Sequence, residues 1–245
     1  MPEGPSIVIM KEAVADFTRQ KIISATGTTT KADLDRIAGK TVIAFRSWGK
    51  HFLICLEKDY TIRIHLLLFG TYRINERKES APRLSLQFEN GELNFYTCSV
   101  VEITQPLDEV YDWTADVMNP EWDDKQALQK LADQPEMLAC DALLNQDIFA
   151  GVGNIIKNEV LYRIRVHPRT KIGDLPKKKL KELVHEAVNY SYDFLEWKKD
   201  FTLKQHWLAH TKKTCLRCDL PMHKEHMGKT NRRTFFCDNC QVLYT

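Results

Sequence analysis

The chain has 245 residues, enough to bury one large core or two smaller ones. Its composition, 43% hydrophobic and 28% charged, is that of an ordinary globular protein. No apolar run approaches the twenty or so residues of a membrane span, and the N-terminus lacks the basic-then-apolar pattern of a secretory signal. The net charge of +2 conceals a polarity: residues 1–150 carry 16 basic and 23 acidic side chains, whereas residues 151–245 carry 19 basic and 10 acidic. A basic half suits a phosphate-bearing partner, and solvated helix faces are the plainer alternative.

In chain order, the first element is a helix over Pro5–Gln20, where Ile7, Met10, Val14 and Phe17 recur at three- and four-residue spacing. Seven short strands follow: Thr41–Phe45, His51–Leu56, Thr61–Leu66, Thr71–Ile74, Leu84–Phe88, Leu93–Tyr96 and Val100–Thr104. Asn90-Gly91 marks a hairpin turn, and this density of strands predicts a sandwich or barrel. Pro106 to Asp124 is acidic and turn-rich, which places a linker near 115–124. Beyond it the pattern turns helical, over Lys125–Asp133, Met137–Asn145, Asn154–Arg163 and Pro176–Trp197. From about Trp207 the chain returns to β character.

Seven cysteines point to a reducing compartment with a metal site and away from a disulfide framework. Cys55, Cys98 and Cys140 sit in apolar contexts and read as small core residues. Cys215, Cys218, Cys237 and Cys240 form C-x2-C-x18-C-x2-C. Each pair can aim two thiolates at one ion, and four sulfurs close a tetrahedral shell with no position left for water, so one structural Zn2+ is expected, with iron as the competitor. His223 and His226 inside the loop read as surface residues. Lys224, Lys229, Arg232 and Arg233 make this hairpin basic, consistent with a nucleic-acid grip or with solubility alone.

Gly151-Val152-Gly153-Asn154 separates two helical segments. Glycines allow a tight turn with backbone close to a partner, exposed amides at the next helix start can hold phosphate, and Asn154 is suited to capping that helix. A dinucleotide-binding unit would need a strand before these glycines, and Ala142–Gln146 reads as helix; the arrangement is therefore helix–two-turn–helix.

The opening Met1-Pro2-Glu3-Gly4-Pro5 has its own chemistry. Once Met1 is removed, Pro2 carries a free secondary amine that can attack a sugar carbon and leave an iminium, with Glu3 beside it as a proton carrier. The Pro-Glu-Gly-Pro opening, Gly49-Lys50, the Gly-Val-Gly-Asn turn and the terminal four-cysteine hairpin, in this order, resemble the Fpg/Nei family of bifunctional DNA glycosylase/AP lyases over essentially the whole chain.

The resemblance implies an α+β fold: an N-terminal β-sandwich flanked by helices over residues 1–118, a helix–two-turn–helix domain over 119–206, and a zinc-finger β-hairpin over 207–245, with DNA in the cleft between them. It implies double-stranded DNA containing oxidised bases or abasic sites as partner, and a DNA-repair enzyme acting in the bacterial cytoplasm at the nucleoid or in a nucleus. Nothing in the chain suggests an obligate oligomer or a membrane association, and a monomer is expected. Carried over by position, Pro2 is the nucleophile, Glu3 the general acid/base, and Lys50 the lysine that contacts damaged nucleotide and phosphate. Leu68 matches the wedge that fills the hole left by a flipped base, with Leu67 and Phe69 as neighbours, although the run also reads as strand core. Asn154 matches the phosphate-binding asparagine, Glu159 a glutamate supporting the turn, and Arg232, five residues before Cys237, the phosphate-gripping arginine, with Arg233 as its competitor. The Leu67-Leu68-Phe69 cluster, the short interval from Asn154 to Cys215, Trp48 and Asp147 lean toward endonuclease VIII-like activity on oxidised pyrimidines. A purine-specific glycosylase and a non-catalytic damage binder are the alternatives.

Overall fold

The computed structural model describes residues 2–245; Met1, on whose removal the N-terminal chemistry depends, lies outside the described residues. The chain divides into two compact units at Tyr111/Asp112. The expected boundary at 118/119 falls a short way inside the second unit, and the four-cysteine hairpin belongs to the same compact unit as the helices.

The first unit begins with α1 (Gly4–Ala13), which has Pro5 in its first turn and buries Ile7 and Met10. The predicted helix runs shorter than Pro5–Gln20. A 3-10 turn at Ala15–Phe17 follows, Arg19 takes a left-handed φ of 65°, and its N–H donates to the Val42 carbonyl at 2.8 Å. Pairing with the sheet thus overrides helical periodicity beyond Ala13. A short strand that the pattern does not reveal, β1 (Ser24–Thr26), comes next, then α2 (Leu34–Ile37), capped by the Asp33 carboxylate.

Seven further strands are β2 (Val42–Trp48), β3 (His51–Leu56), β4 (Tyr60–His65), β5 (Thr71–Ile74), β6 (Leu84–Phe88), β7 (Gly91–Tyr96) and β8 (Ser99–Ile103). Together with β1 they form two four-stranded sheets, β1-β6-β7-β5 and β2-β3-β4-β8. Phe52 and Phe95 meet across the sandwich with ring centroids 6.0 Å apart, among a core that includes Ile54, Ile62, Leu84 and Leu86. The helix α1 packs on β2 and β3, where Ile7 and Met10 join Phe52 and Ile54 in one core; Leu53, on the opposite face of β3, is buried as well.

The second unit opens with a packed segment where the sequence suggested a linker. Trp113, Ala115 and Val117 are buried, and Ala115 and Val117 exchange backbone hydrogen bonds with Ala150 at 2.8 and 3.2 Å. Helix α3 (Leu107–Val110) closes the first unit, and the second carries α4 (Asp124–Ala132), α5 (Ala139–Ala142), α6 (Asn154–Arg163) and α7 (Lys177–Lys199). The helix expected over Met137–Asn145 is one turn of α-helix followed by turns. The hairpin strands are β9 (His223–Met227) and β10 (Arg232–Phe236), and β10 packs on α6. No helix among the described residues is long and apolar enough to cross a membrane.

Candidate nucleic-acid interface and metal centre

In the first unit Pro2 is half-buried and leads directly into Glu3, the residue flanking the start of α1. Glu3 is wholly buried and its carbonyl accepts from the Ser6 N–H at 2.8 Å. A carboxylate at this end of a helix is favoured by the helix dipole.

Lys50 lies in the tight β2–β3 turn, where Gly49 adopts φ 51°, a left-handed conformation suited to glycine. Beneath it Trp48, His51, His65 and Tyr111 form a ring cluster: His51 lies edge-on to His65 at 5.3 Å, Trp48 is 5.0 Å from Tyr111, and His51 Nδ1 is 3.2 Å from the Tyr111 hydroxyl. Burial pushes His51 down to about 3, aided by the charges of Arg63, His65 and Lys50. Burial likewise lowers His65, with Lys50 and Arg63 adding to it. Both rings are therefore neutral neighbours of a lysine, a feature that sequence pattern does not disclose.

The segment Leu66–Gly70 folds back on itself, with the Gly70 N–H donating to the Leu66 carbonyl at 2.7 Å. Leu66 is buried, but Leu67, Leu68 and Phe69 at the tip are 47%, 47% and 80% exposed. Leu67 takes φ 52°, and a Cβ on Gly70 would overlap the Leu66 carbonyl oxygen. These residues are a turn tip and not strand core. Three adjacent apolar side chains therefore face solvent together.

In the second unit the glycine turn is held by Gln146, whose Nε2 donates to the Leu144 and Val152 carbonyls while its Oε1 accepts from the Gly151 N–H. Asn154 does not cap α6: the flanking position is Gly153, without a side-chain cap, and Asn154 is the first helical residue. Its amide instead reaches β10. Three neighbours of Asn154 are buried polar residues that sequence reading passed over or assigned differently. Lys157 Nζ donates to Thr234 Oγ1 at 2.8 Å, and Asn158 Oδ1 accepts from the Phe235 N–H at 3.1 Å. Glu159 accepts from the backbone N–H groups of Leu208, Ala209 and His210 at 2.7–3.0 Å, so it supports the approach to the hairpin and not the glycine turn. Burial pushes its carboxyl up, and the three donors pull it back. Lys157, Asn158 and Glu159 are thus polar yet wholly buried, with residues 208–210 and the strand β10 supplying their partners. Arg232 is half-buried and Arg233 exposed, on successive residues of β10.

The Sγ atoms of Cys215, Cys218, Cys237 and Cys240 all lie within 4.8 Å of one another, with Cys215–Cys240 at 3.7 Å and Cys218–Cys237 at 3.6 Å. A tetrahedral ion with bonds of about 2.3 Å to sulfur requires edges of about 3.8 Å, so the four thiols fit a metal. The Tyr162 hydroxyl stands 3.3 Å from Cys215 Sγ, and the Arg217 guanidinium lies over the Tyr162 ring at 4.0 Å while donating to the Tyr162 carbonyl. His223 and His226 are exposed, as expected.

The fold defined by this order of sandwich, helices and hairpin is that of the formamidopyrimidine-DNA glycosylases. A structure of the Lactococcus lactis formamidopyrimidine-DNA glycosylase bound noncovalently to DNA containing an AP site superimposes with a TM-score of 0.84 at 22% identity, covering 98% of this chain and 99% of that one. The formamidopyrimidine-DNA glycosylase N-terminal domain matches residues 1–98, and the H2TH domain of the same family matches residues 115–202. Human endonuclease 8-like 2 is 32% identical across 98% of this chain and 75% of its own length. Mouse endonuclease 8-like 3 is 29% identical across 74% of this chain, which spans about a third (31%) of that protein's length. The chain belongs to the Fpg/Nei family and stands close to its endonuclease VIII-like members.

Proposed function

We propose that this chain is a base-excision-repair DNA glycosylase with AP lyase activity, acting on oxidised bases, pyrimidines foremost, in double-stranded DNA. The observation that carries the reading is the partly exposed Pro2 set immediately before a fully buried glutamate at the start of α1. With Met1 removed, the Pro2 nitrogen attacks C1′ of the flipped nucleotide and the base departs with the electrons of its glycosidic bond. The resulting ammonium gives its N–H proton to the Glu3 carboxylate, which passes it to O4′ as the C1′–O4′ bond opens, and the nitrogen lone pair freed in this way completes the iminium. The iminium acidifies C2′, so loss of that proton expels the 3′ phosphate; a second elimination expels the 5′ phosphate. An α-amino group titrates near pH 8, so a useful fraction is neutral at working pH, and a cation brought close to it, such as Lys50, would favour that form. Leu68, flanked by Leu67 and Phe69, fills the vacated stack, while Asn154 and Arg232 grip phosphates.

Zn2+ is the metal that Cys215, Cys218, Cys237 and Cys240 would hold; it would staple the hairpin and take no part in bond cleavage. Pyrimidine preference is supported by the interval from Asn154 to Cys215, which α6, α7 and two short 3-10 turns occupy without a long inserted loop. The test is borohydride trapping on duplex DNA with an abasic site, using protein whose Met1 has been removed. A covalent adduct abolished by acetylation of the Pro2 nitrogen is expected; no adduct at all would leave a damage-binding protein. Base-release assays on oxidised-pyrimidine and oxidised-purine duplexes decide the preference.

A further inference from the structure

The hairpin that carries the arginines is pinned to the helices at two places. At its tip, the Asp141 carboxylate of α5 accepts from the Lys229 N–H at 3.0 Å. Gly228, at φ 70°, lets the chain pass so close that a Cβ there would overlap the Asp141 carboxylate. Further along β10, the wholly buried Lys157 donates to Thr234 Oγ1 at 2.8 Å and lies 3.4 Å from the Arg233 carbonyl. Arg232 and Arg233 fall between the two pins. Burying an ammonium or a carboxylate is unfavourable unless it is well partnered, so a hairpin that needed only to be covered would be better covered by apolar residues. What these two charged groups add over apolar packing is register: each recognises a particular backbone atom or hydroxyl of the hairpin.

We propose that Asp141 and Lys157 are positioning residues that hold the arginine strand in one register against the first turn of α6, so that Asn154 and an arginine of β10 engage the same stretch of phosphates. The proposal rests on the DNA-binding reading above. Neither residue touches nucleic acid in this arrangement; both act through the hairpin backbone.

The experiment is a binding titration of the full-length protein with a duplex carrying a tetrahydrofuran abasic-site analogue, repeated over a range of salt. Asp141→Ala and Lys157→Met are each expected to weaken binding about tenfold and to flatten the dependence of log K on log salt by about one phosphate contact. Zinc content should stay at one ion, and the single-turnover rate at saturating protein should be unchanged. Asp141→Asn keeps an acceptor for the Lys229 N–H and should restore wild-type affinity. Should Lys157→Met fail to fold, the Asp141 pair still decides. Wild-type affinity and salt slope in Asp141→Ala would overturn the proposal, as would a loss of affinity that Asp141→Asn does not rescue or that tracks loss of zinc. A wild-type protein that does not bind the probe would instead overturn the DNA-binding reading beneath it.

Discussion

The Asn154 side-chain amide donates to the Arg233 carbonyl at 2.9 Å, joining the first turn of α6 to a strand 79 residues further on. The residue expected to cap its own helix therefore serves the hairpin. Asn154→Ala removes one hydrogen bond and should cost about 1 kcal/mol of stability. Asn154→Asp sets a carboxylate against a carbonyl and should cost more. Thermal melts rank the two, and DNA titration should show both weaker than wild type.

The apolar tip makes an opposite forecast. Phe69 and Leu68 have little packing to lose, so Leu68→Ala and Phe69→Ala should change folding stability by about 0.5 kcal/mol or less. Lesion excision should nevertheless fall by roughly tenfold or more, because base extrusion needs a wedge. Gly70→Ala, which drives a Cβ into the Leu66 carbonyl, should impair excision and stability together.

Glu159 takes three backbone N–H bonds from Leu208–His210. Glu159→Gln replaces one acceptor oxygen with a donor facing those groups. A destabilisation of about 1–3 kcal/mol is expected, read by denaturant unfolding.

Metal removal should unfold the hairpin and not merely slow catalysis. Stripping the protein with a strong chelator, or Cys215→Ser, should abolish DNA binding and shorten the protease-resistant fragment toward residue 206, while the sandwich stays folded. A chelated protein with an unchanged melting profile would contradict the zinc assignment.

Acid sensitivity follows from the buried histidines. Burial, then the charges of Arg63, His65 and Lys50, lowers His51 to about 3; burial followed by the Lys157 charge lowers His210 to about 4; His65 moves the same way. In the unfolded chain these groups titrate near 6.5. Below that value the unfolded state binds more protons, so stability is complete above about pH 6.5 and falls as pH drops toward 4, by at most about 1.4 kcal/mol per pH unit for each histidine. Melting temperature measured from pH 8 to 4 should show this decline, and His51→Asn should flatten it.

Much of the sandwich was legible because each strand's run of apolar and β-branched residues is local: His51–Leu56, Thr71–Ile74 and Leu84–Phe88 coincide with β3, β5 and β6. The Asn90-Gly91 hairpin between β6 and β7 was legible for the same reason. Boundaries failed where partners far along the chain decide them. Helix α1 stops because residues 19–22 pair with the start of β2, and Trp113–Val117 is packed core because Ala150 lies against it.

By itself the sequence determined the family, the spacing of the four metal-site cysteines and the order of elements, since these are written in contiguous residues and short spacings. Tertiary structure alone decided that Leu67–Phe69 form an exposed tip, that Asn154 serves β10, and that Asp141, Lys157 and Glu159 are buried anchors. Burial of a polar side chain depends on what the remote chain places over it, and no local pattern of hydrophobicity encodes that.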